Sequence, residues 1–399
     1  MSKVTNNYMD FVLFDDRSWG TLRPLTLTRP VGESRVGILT IREKWERRLA
    51  ASASWLTQEH LREKYPLKKS EWWINGSICP DDTLAWAVSR LRRGELLEGE
   101  GVVIAFRVDK KQIPAGGEWD LSLFSSIPYV DGYTRIEYPY HIFGYNHREL
   151  LLDFDLLTRG RESQKCNESV RVHGTHPLFV EEGAVVESAV INTNKGPVYI
   201  GRGAEVMEGV VIRGPLALCD HAVLKVGAKV YGATTIGPYC KCGGELNNVV
   251  LMGYSNKAHD GFLGNSVLGE WCNIGAGTNV SNLKNNYAEV KLWDYESSHF
   301  RKTGLQFCGL IMGDHSKMGI GMTINTGTVV GIGANLYGTD FPRNFIPSFT
   351  WGSSAGFTRH KWTQFEETAR LVMRRREKVF DEKEQRLLEY LYQDTVEVK

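Results

Sequence analysis

The chain has 399 residues and a mass of 45.0 kDa, more than one hydrophobic core usually organises, so two domains are expected. Hydrophobic residues at 42% and charged residues at 24% exclude a disordered or fibrous chain. Lys and Arg (48) balance Asp and Glu (47), so no global field holds nucleic acid or an anionic membrane, and an anionic ligand has to be met locally.

No uncharged apolar run approaches the roughly 18 residues that span a bilayer. The opening MSKVTNNYMDF has no apolar signal core, so a cytoplasmic location is expected. The cysteines, at 79, 166, 219, 240, 242, 272 and 308, are odd in number and scattered, as suits a reducing compartment. Only Cys240 and Cys242 lie close together, and no second pair gives them the spacing of a zinc site.

Composition changes along the chain: seven of the eleven Trp precede residue 120, whereas 26 of the 41 Gly lie between 181 and 340. Residues 146–168, containing HRELLLDFDLLTRGRES, read as a helix with one apolar face followed by a polar connector, which sets a boundary near 165. Beyond it, Ile200, Val206, Ile212, Leu218, Leu224, Val230, Ile236 and Cys242 recur every six residues. The period returns at Leu268, Ile274 and Val280, and again at Met312, Met318, Ile324, Val330 and Leu336. Six residues cannot form a helix face, which repeats near 3.6, but they can form one side of a three-sided coil. The expected fold is a left-handed parallel β-helix, with each keyed aliphatic residue pointing into a triangular core and Gly or Asn at corners of positive φ. The register lapses at 247–264 and 281–310, which are expected to be loops pushed out of the wall and the places to look for chemistry. After Leu336 the chain turns helical, over 362–378 and 381–393, the second helix opened by the capping pair Asp381 and Glu384 and the two expected to cover the solenoid end. The predicted domains are 1–165, 166–338 and 339–399.

The richest segment is GGELNNVVLMGYSNKAHDGFLGNSVLGEWCNIGAGTNVSNLKNN, residues 243–286. A His five residues before a Gly (His259, Gly264), a keyed Leu268-Gly269, the run Asn273–Thr278 and Asn282 in a polar loop resemble one family's acetyltransferase domain. That family is the bifunctional N-acetylglucosamine-1-phosphate uridylyltransferase/glucosamine-1-phosphate N-acetyltransferases. The resemblance implies that His259 is the general base for an amine attacking a thioester, since an amino sugar is largely ammonium at neutral pH and an ordinary imidazole can take the proton. Glu245 would orient the imidazole or bind sugar, and its alternative is a solvated turn carboxylate. Asn273 and Asn282 would hold the sugar or the thioester carbonyl, where an oxyanion develops. Lys257, Lys284, Lys291 and Lys317 are candidate partners for sugar phosphate or for the phosphates of acetyl-CoA, Lys317 on the coenzyme side. The aromatic residue three after the His is Phe262, where the family commonly has Tyr, so a phenolic hydrogen bond is absent there.

Residues 12–40, VLFDDRSWGTLRPLTLTRPVGESRVGILT, are similar to the opening strand and phosphate loop of sugar nucleotidyltransferases. By that similarity Arg23, Arg29 and Arg35 would meet triphosphate or sugar phosphate, although three spaced arginines can equally be ion-paired surface residues. Where the usual loop is glycine-rich, this chain has Asp15 and Asp16. Carboxylates repel phosphates unless Mg2+ intervenes, so nucleotidyl transfer needs either a metal bridge, with these two as the candidate ligands, or a rearranged loop. Together with LTIREKWE at 39–46 and FCGLIMGDHSKMGIGM at 307–322, the pattern looks closest to a divergent bacterial form of the bifunctional enzyme.

The resulting expectation is an α/β nucleotidyltransferase-like domain, a left-handed β-helix and C-terminal helices, and the family resemblance implies a homotrimer with acetyl-CoA between neighbouring solenoids. It would acetylate an amino-sugar 1-phosphate and use a nucleoside triphosphate to form a nucleotide sugar. The alternatives are a nucleotidyltransferase whose solenoid is structural, and a non-catalytic scaffold that senses sugar nucleotides. A metal-dependent hydratase on the same solenoid lacks a three-ligand pattern among the ten His.

Overall fold

A computed structural model describes residues 10–109 and 119–395, so most of the opening segment read for a targeting signal lies outside the described residues. The chain divides into two compact units. One takes the residues up to Trp19, Arg29–Ser34 and Leu39–Glu137; the other takes Gly20–Thr28, Arg35–Ile38 and Tyr138–Lys399.

The first unit is α/β. Its six-stranded sheet runs in the order Ala53–Leu56, Phe11–Phe14, Trp72–Asn75, Val102–Arg107, Glu95–Gly99, Ser125–Pro128. Phe11–Phe14 pairs parallel with both neighbours, whereas Val102–Arg107 runs antiparallel to both of its own. Trp73 and Phe106 stack with centroids 5.8 Å apart in a core that includes Val12, Leu96 and Val108. The helix Ile41–Leu49 opens with a capping box, Thr40 accepting from the Glu43 N–H and Glu43 from the Thr40 N–H.

In the second unit the helix Pro139–Thr158 starts earlier than its apolar pattern suggested, because Pro139 is suited to a first turn. Its buried Asn146, Glu149, Leu150, Asp153, Phe154 and Leu157 fall three and four apart on one face. Beyond it lies a parallel β-solenoid of about ten turns. All sixteen keyed residues lie in one continuous buried cluster, which is why the six-residue period could be read. A coil takes 18 residues where the period is regular, as in the register Val198↔Leu216↔Thr234.

The first lapse in the period is not an extruded loop. Thr235 pairs with Val250 and Val250 with Val267, so these coils take 15 and 17 residues and stay within the walls. Two wall strands fuse into one at Glu245–Gly253 and again at Phe262–Glu270, with Asn248 and Asn265 at positive φ marking the compressed corner. The second lapse does leave the wall: Val267 pairs next with Ile311, and the intervening chain folds an antiparallel hairpin of Lys291–Asp294 with His299–Lys302.

Another corner departs from the expected Gly and Asn. His221, Tyr239, Tyr254, Trp271 and His315 all have φ between 54° and 61° and stack coil upon coil, Tyr254 and Trp271 with centroids 4.2 Å apart. A bulky residue at positive φ costs about 1–2 kcal/mol, and ring stacking of about 0.5–1.5 kcal/mol per pair offsets it.

The last coil turns back as an antiparallel hairpin, Thr350–Ser353 with Gly356–Arg359. The helices Trp362–Arg374 and Glu382–Asp394 follow, and Asp381 caps the second by accepting from the Glu384 N–H. They do more than cover the end. Phe365 packs edge-on against Phe349, while Arg376 donates to Asn256 and Lys378 lies over the rings of Tyr239 and Tyr254, so the segment runs back along the aromatic corner.

Candidate functional site

The strand Asn256–Lys257 ends in a turn that carries His259 and Asp260 to the surface before the strand Phe262–Glu270 begins. Lys257 fixes this turn from inside. It takes the inward position that Cys242 takes one coil earlier, and its buried ammonium donates to the carbonyls of Gly243 and His259. Burial holds its pKa below the usual lysine range. Lys257 is therefore a clasp on the backbone of this turn. Outside, the Gly277 N–H donates to the Asp260 carbonyl and the Phe262 N–H to Asn279 Oδ1, each near 3 Å. Gly261, at φ +120°, lies so close to the next coil that a Cβ would fall 2.1 Å from the Thr278 carbonyl oxygen. His259 borders a cavity of about 530 Å³ lined also by Lys225, Gly243, Gly244 and Gly277. Its imidazole makes no hydrogen bond among the described residues and is open to a ligand.

Glu245 lies on the adjoining rung, opposite Phe262 on one side and Lys229 on the other, and its backbone N–H donates to the Gly261 carbonyl. One of its carboxylate oxygens accepts from the Tyr231 hydroxyl. Asn282 comes to the same face from the following coil, its amide donating to Asn265 Oδ1 at 2.8 Å. Gly264 makes room for it, since a Cβ there would lie 2.6 Å from Asn282 Nδ2. His259, Glu245 and Asn282 are thus brought to neighbouring rungs, and sequence reading missed Tyr231, Lys229 and Asn279 beside them.

Asn273 and Lys317 pair with each other on a different wall, in line with Asn256. The Lys317 ammonium donates to the carbonyls of Trp271 and His315, and burial pushes its pKa down to about 8. Lys284 donates to the Glu289 carbonyl at the edge of another cavity, of about 600 Å³, lined by Asn285, Asn325, Phe341 and Asn344. Lys291 is exposed on the extruded hairpin.

Of the three arginines, Arg23 and Arg35 belong to the second unit and Arg29 to the first, where it is buried. Arg23 pairs with Glu296 and donates to the Gly20 carbonyl. Buried Arg35 donates to the carbonyls of Met252 and Ile38, so its guanidinium braces backbone.

In the first unit, Asp15 accepts from the Thr57 hydroxyl at 2.6 Å and from the Val31 N–H at 2.9 Å. Asp16 accepts from Ser18 N–H, from the Asn75 amide and from Arg135, all within 3.0 Å. Burial pushes the Asp15 carboxyl up to about 7. For Asp16 the opposing effect of burial is outweighed by its hydrogen bonds to Ser18 and Asn75 and by the Arg135 charge, which hold its pKa below the usual range. Both oxygens of each carboxylate are engaged, and no cluster of three or more His, Cys, Asp or Glu among the described residues is arranged for a metal. Asp15 accepts two and Asp16 three of the roughly four bonds a carboxylate can take, so a lone pair is left on each, and the two remain the candidate ligands for Mg2+.

A raised carboxyl pKa favours the neutral acid in the fold. The stability Asp15 contributes is therefore full below about pH 4 and lost as the pH rises through about 7. The thermal midpoint of the wild type is expected to fall more between about pH 5 and about pH 8 than that of Asp15→Asn. Parallel pH profiles in thermal unfolding would show that Asp15 is already ionised in the fold.

Residues 11–162 match the family model described as sugar nucleotidyl transferase. The chain is 29% identical over 145 residues to a bifunctional sugar-1-phosphate nucleotidylyltransferase/acetyltransferase of Sulfurisphaera tokodaii, covering 36% of each. It is 32% identical over 108 residues to the bifunctional protein GlmU of Trichodesmium erythraeum, covering 27% of this chain and 22% of that one. To the GlmU of a Cyanothece species it is 26% identical over 208 residues, covering 46% of this chain and 45% of that one. Each match spans less than half the length of the relative. A crystal structure of UDP-N-acetylglucosamine acyltransferase matches 58% of this chain and 80% of that one at 12% identity, with a TM-score of 0.20. Residues 11–162 thus match a sugar nucleotidyl transferase model and are followed by a parallel β-solenoid, and over less than half of its length the chain is similar, at low identity, to bifunctional sugar-1-phosphate nucleotidylyltransferase/acetyltransferases.

Proposed function

We propose that the chain is a bifunctional transferase whose solenoid acetylates the amino group of an amino-sugar 1-phosphate from acetyl-CoA, while its first unit handles the sugar nucleotide. The observation that carries this reading is the exposed His259 imidazole on a turn clasped by Lys257, with the Glu245 carboxylate on the adjoining rung. His259 takes a proton from the ammonium group, and the freed amine attacks the thioester carbonyl. The oxyanion that develops is met by an amide donor, for which Asn282 is the candidate; collapse expels the coenzyme thiolate, which takes the proton from His259, and the acylated nitrogen releases its second proton to solvent. Lys229, exposed beside Glu245, and Lys225, which lines the His259 cavity, are candidate cations for the sugar phosphate. The working form we propose is a cytoplasmic homotrimer. The seven free cysteines support this location.

A second reading of the first unit, as a binding module without nucleotidyl transfer, is favoured by the engaged Asp15 and Asp16. The acetyltransferase reading is tested by following free thiol from acetyl-CoA with glucosamine 1-phosphate and a panel of related amino-sugar phosphates. Thiol release that depends on the amine is expected, and its absence with every acceptor would overturn the reading. Pyrophosphate release from nucleoside triphosphates with a sugar 1-phosphate separates catalysis in the first unit from binding alone.

A further inference from the structure

Side chains on one outer wall of the solenoid alternate in and out, so Lys229 and Tyr231 face outward on either side of buried Val230. In the next coil Lys229 stands opposite Glu245 and Tyr231 opposite Asn247, and one coil further on Glu245 stands opposite Phe262 and Asn247 opposite Gly264. Tyr231 does not bond to its direct neighbour. Its hydroxyl crosses the rung diagonally and donates to Glu245 Oε1. Burial, then the bond to Glu245, pushes this phenol up to about 12, so it remains a donor at any working pH. The ring at 262 carries no hydroxyl and lies against Gly264, so the phenol on this face comes from the coil before.

Resting on the acetyltransferase reading, we infer that Tyr231 is a positioning residue: it holds one oxygen of Glu245 so that the other accepts an N–H from the incoming amino group. With the carboxylate free to swing, the amine would lose the partner that turns its lone pair toward the thioester while His259 removes a proton. Tyr231 itself touches no reacting atom. Its effect is confined to the acceptor, because the diagonal bond leads to Glu245 and away from the Lys317 wall.

Tyr231→Phe keeps the ring and deletes only the donor. Loss of a hydrogen bond to a charged group is expected to raise the KM for the amino-sugar phosphate roughly 10- to 100-fold. The KM for acetyl-CoA and the thermal midpoint should stay at wild-type values. In the Glu245→Gln background the same change should be nearly silent, since the charged partner is already gone. Calorimetric titration with glucosamine 1-phosphate reads the acceptor site without turnover and should weaken in parallel. An unchanged acceptor KM in an active Tyr231→Phe protein, an equal rise in both KM values, or full additivity with Glu245→Gln would each overturn the inference and leave the acetyltransferase reading standing. A wild type that neither binds nor acetylates any amino-sugar phosphate would overturn that reading and this inference with it.

Discussion

Replacing His259 by Ala is expected to slow acetyl transfer roughly 10²- to 10⁴-fold while the solenoid stays folded. The two consequences separate because the two parts of the residue do different things. Its carbonyl is gripped by the buried Lys257 ammonium, a contact that any side chain at 259 preserves. Its imidazole is at the surface, with no hydrogen bond among the described residues to lose. Thiol release and a thermal midpoint measured on the same preparation distinguish the cases. A slow enzyme with a wild-type midpoint is the expected result. A wild-type rate would remove the imidazole from the chemistry, and a fallen midpoint would make its role structural.

Gly261→Val should have the largest effect on stability. The chain there has φ +120°, and the first carbon of any side chain would sit 2.1 Å from the Thr278 carbonyl oxygen. Relief requires the coils on either side of the turn to part, which breaks the Gly277-to-Asp260 backbone bond and loosens the packing of Leu263 in the lumen. A loss of about 3 kcal/mol or more is expected, together with acetyl transfer, since His259 is two residues away. Gly304→Ala is the control. It also has positive φ, +76°, but lies in the extruded segment with nothing within 4 Å of the added carbon, so only the local backbone cost of about 1 kcal/mol remains. Equal midpoint losses in the two variants would show that the close approach at Gly261 does not matter.

These two glycines also mark what could be read from sequence. A six-residue period is visible because each coil contributes one inward aliphatic residue per wall, and that geometry survives wherever coils keep 18 residues. Removing a few residues from a coil destroys the period but not the wall, which is why residues 247–264 read as a loop although most of them lie in the strands Glu245–Gly253, Asn256–Lys257 and Phe262–Glu270, with His259 on the short turn between the last two. The stack from His221 to His315 was hidden for a related reason: each ring occupies a backbone conformation that favours Gly, and only the rings of neighbouring coils make it tolerable. Lys257 read as a candidate partner for phosphate, and its inward register with Cys242 is set by the coil before, which no local pattern shows. In the first unit, the donors that engage Asp15 and Asp16 include Thr57, Asn75 and Arg135, far away in the chain, and no local pattern announces those partners. The His259 motif was legible because its landmarks are local. Tyr231 was not, because its bond to Glu245 depends on how one coil is set on the next.

The most direct single measurement is mass analysis of the sugar after wild-type protein has been supplied with acetyl-CoA and glucosamine 1-phosphate. An N-acetylated sugar phosphate, formed by the wild type and not by His259→Ala, is the predicted product. Recovery of the unmodified amine beside an intact thioester would contradict the assignment of acetyl transfer to the His259 turn.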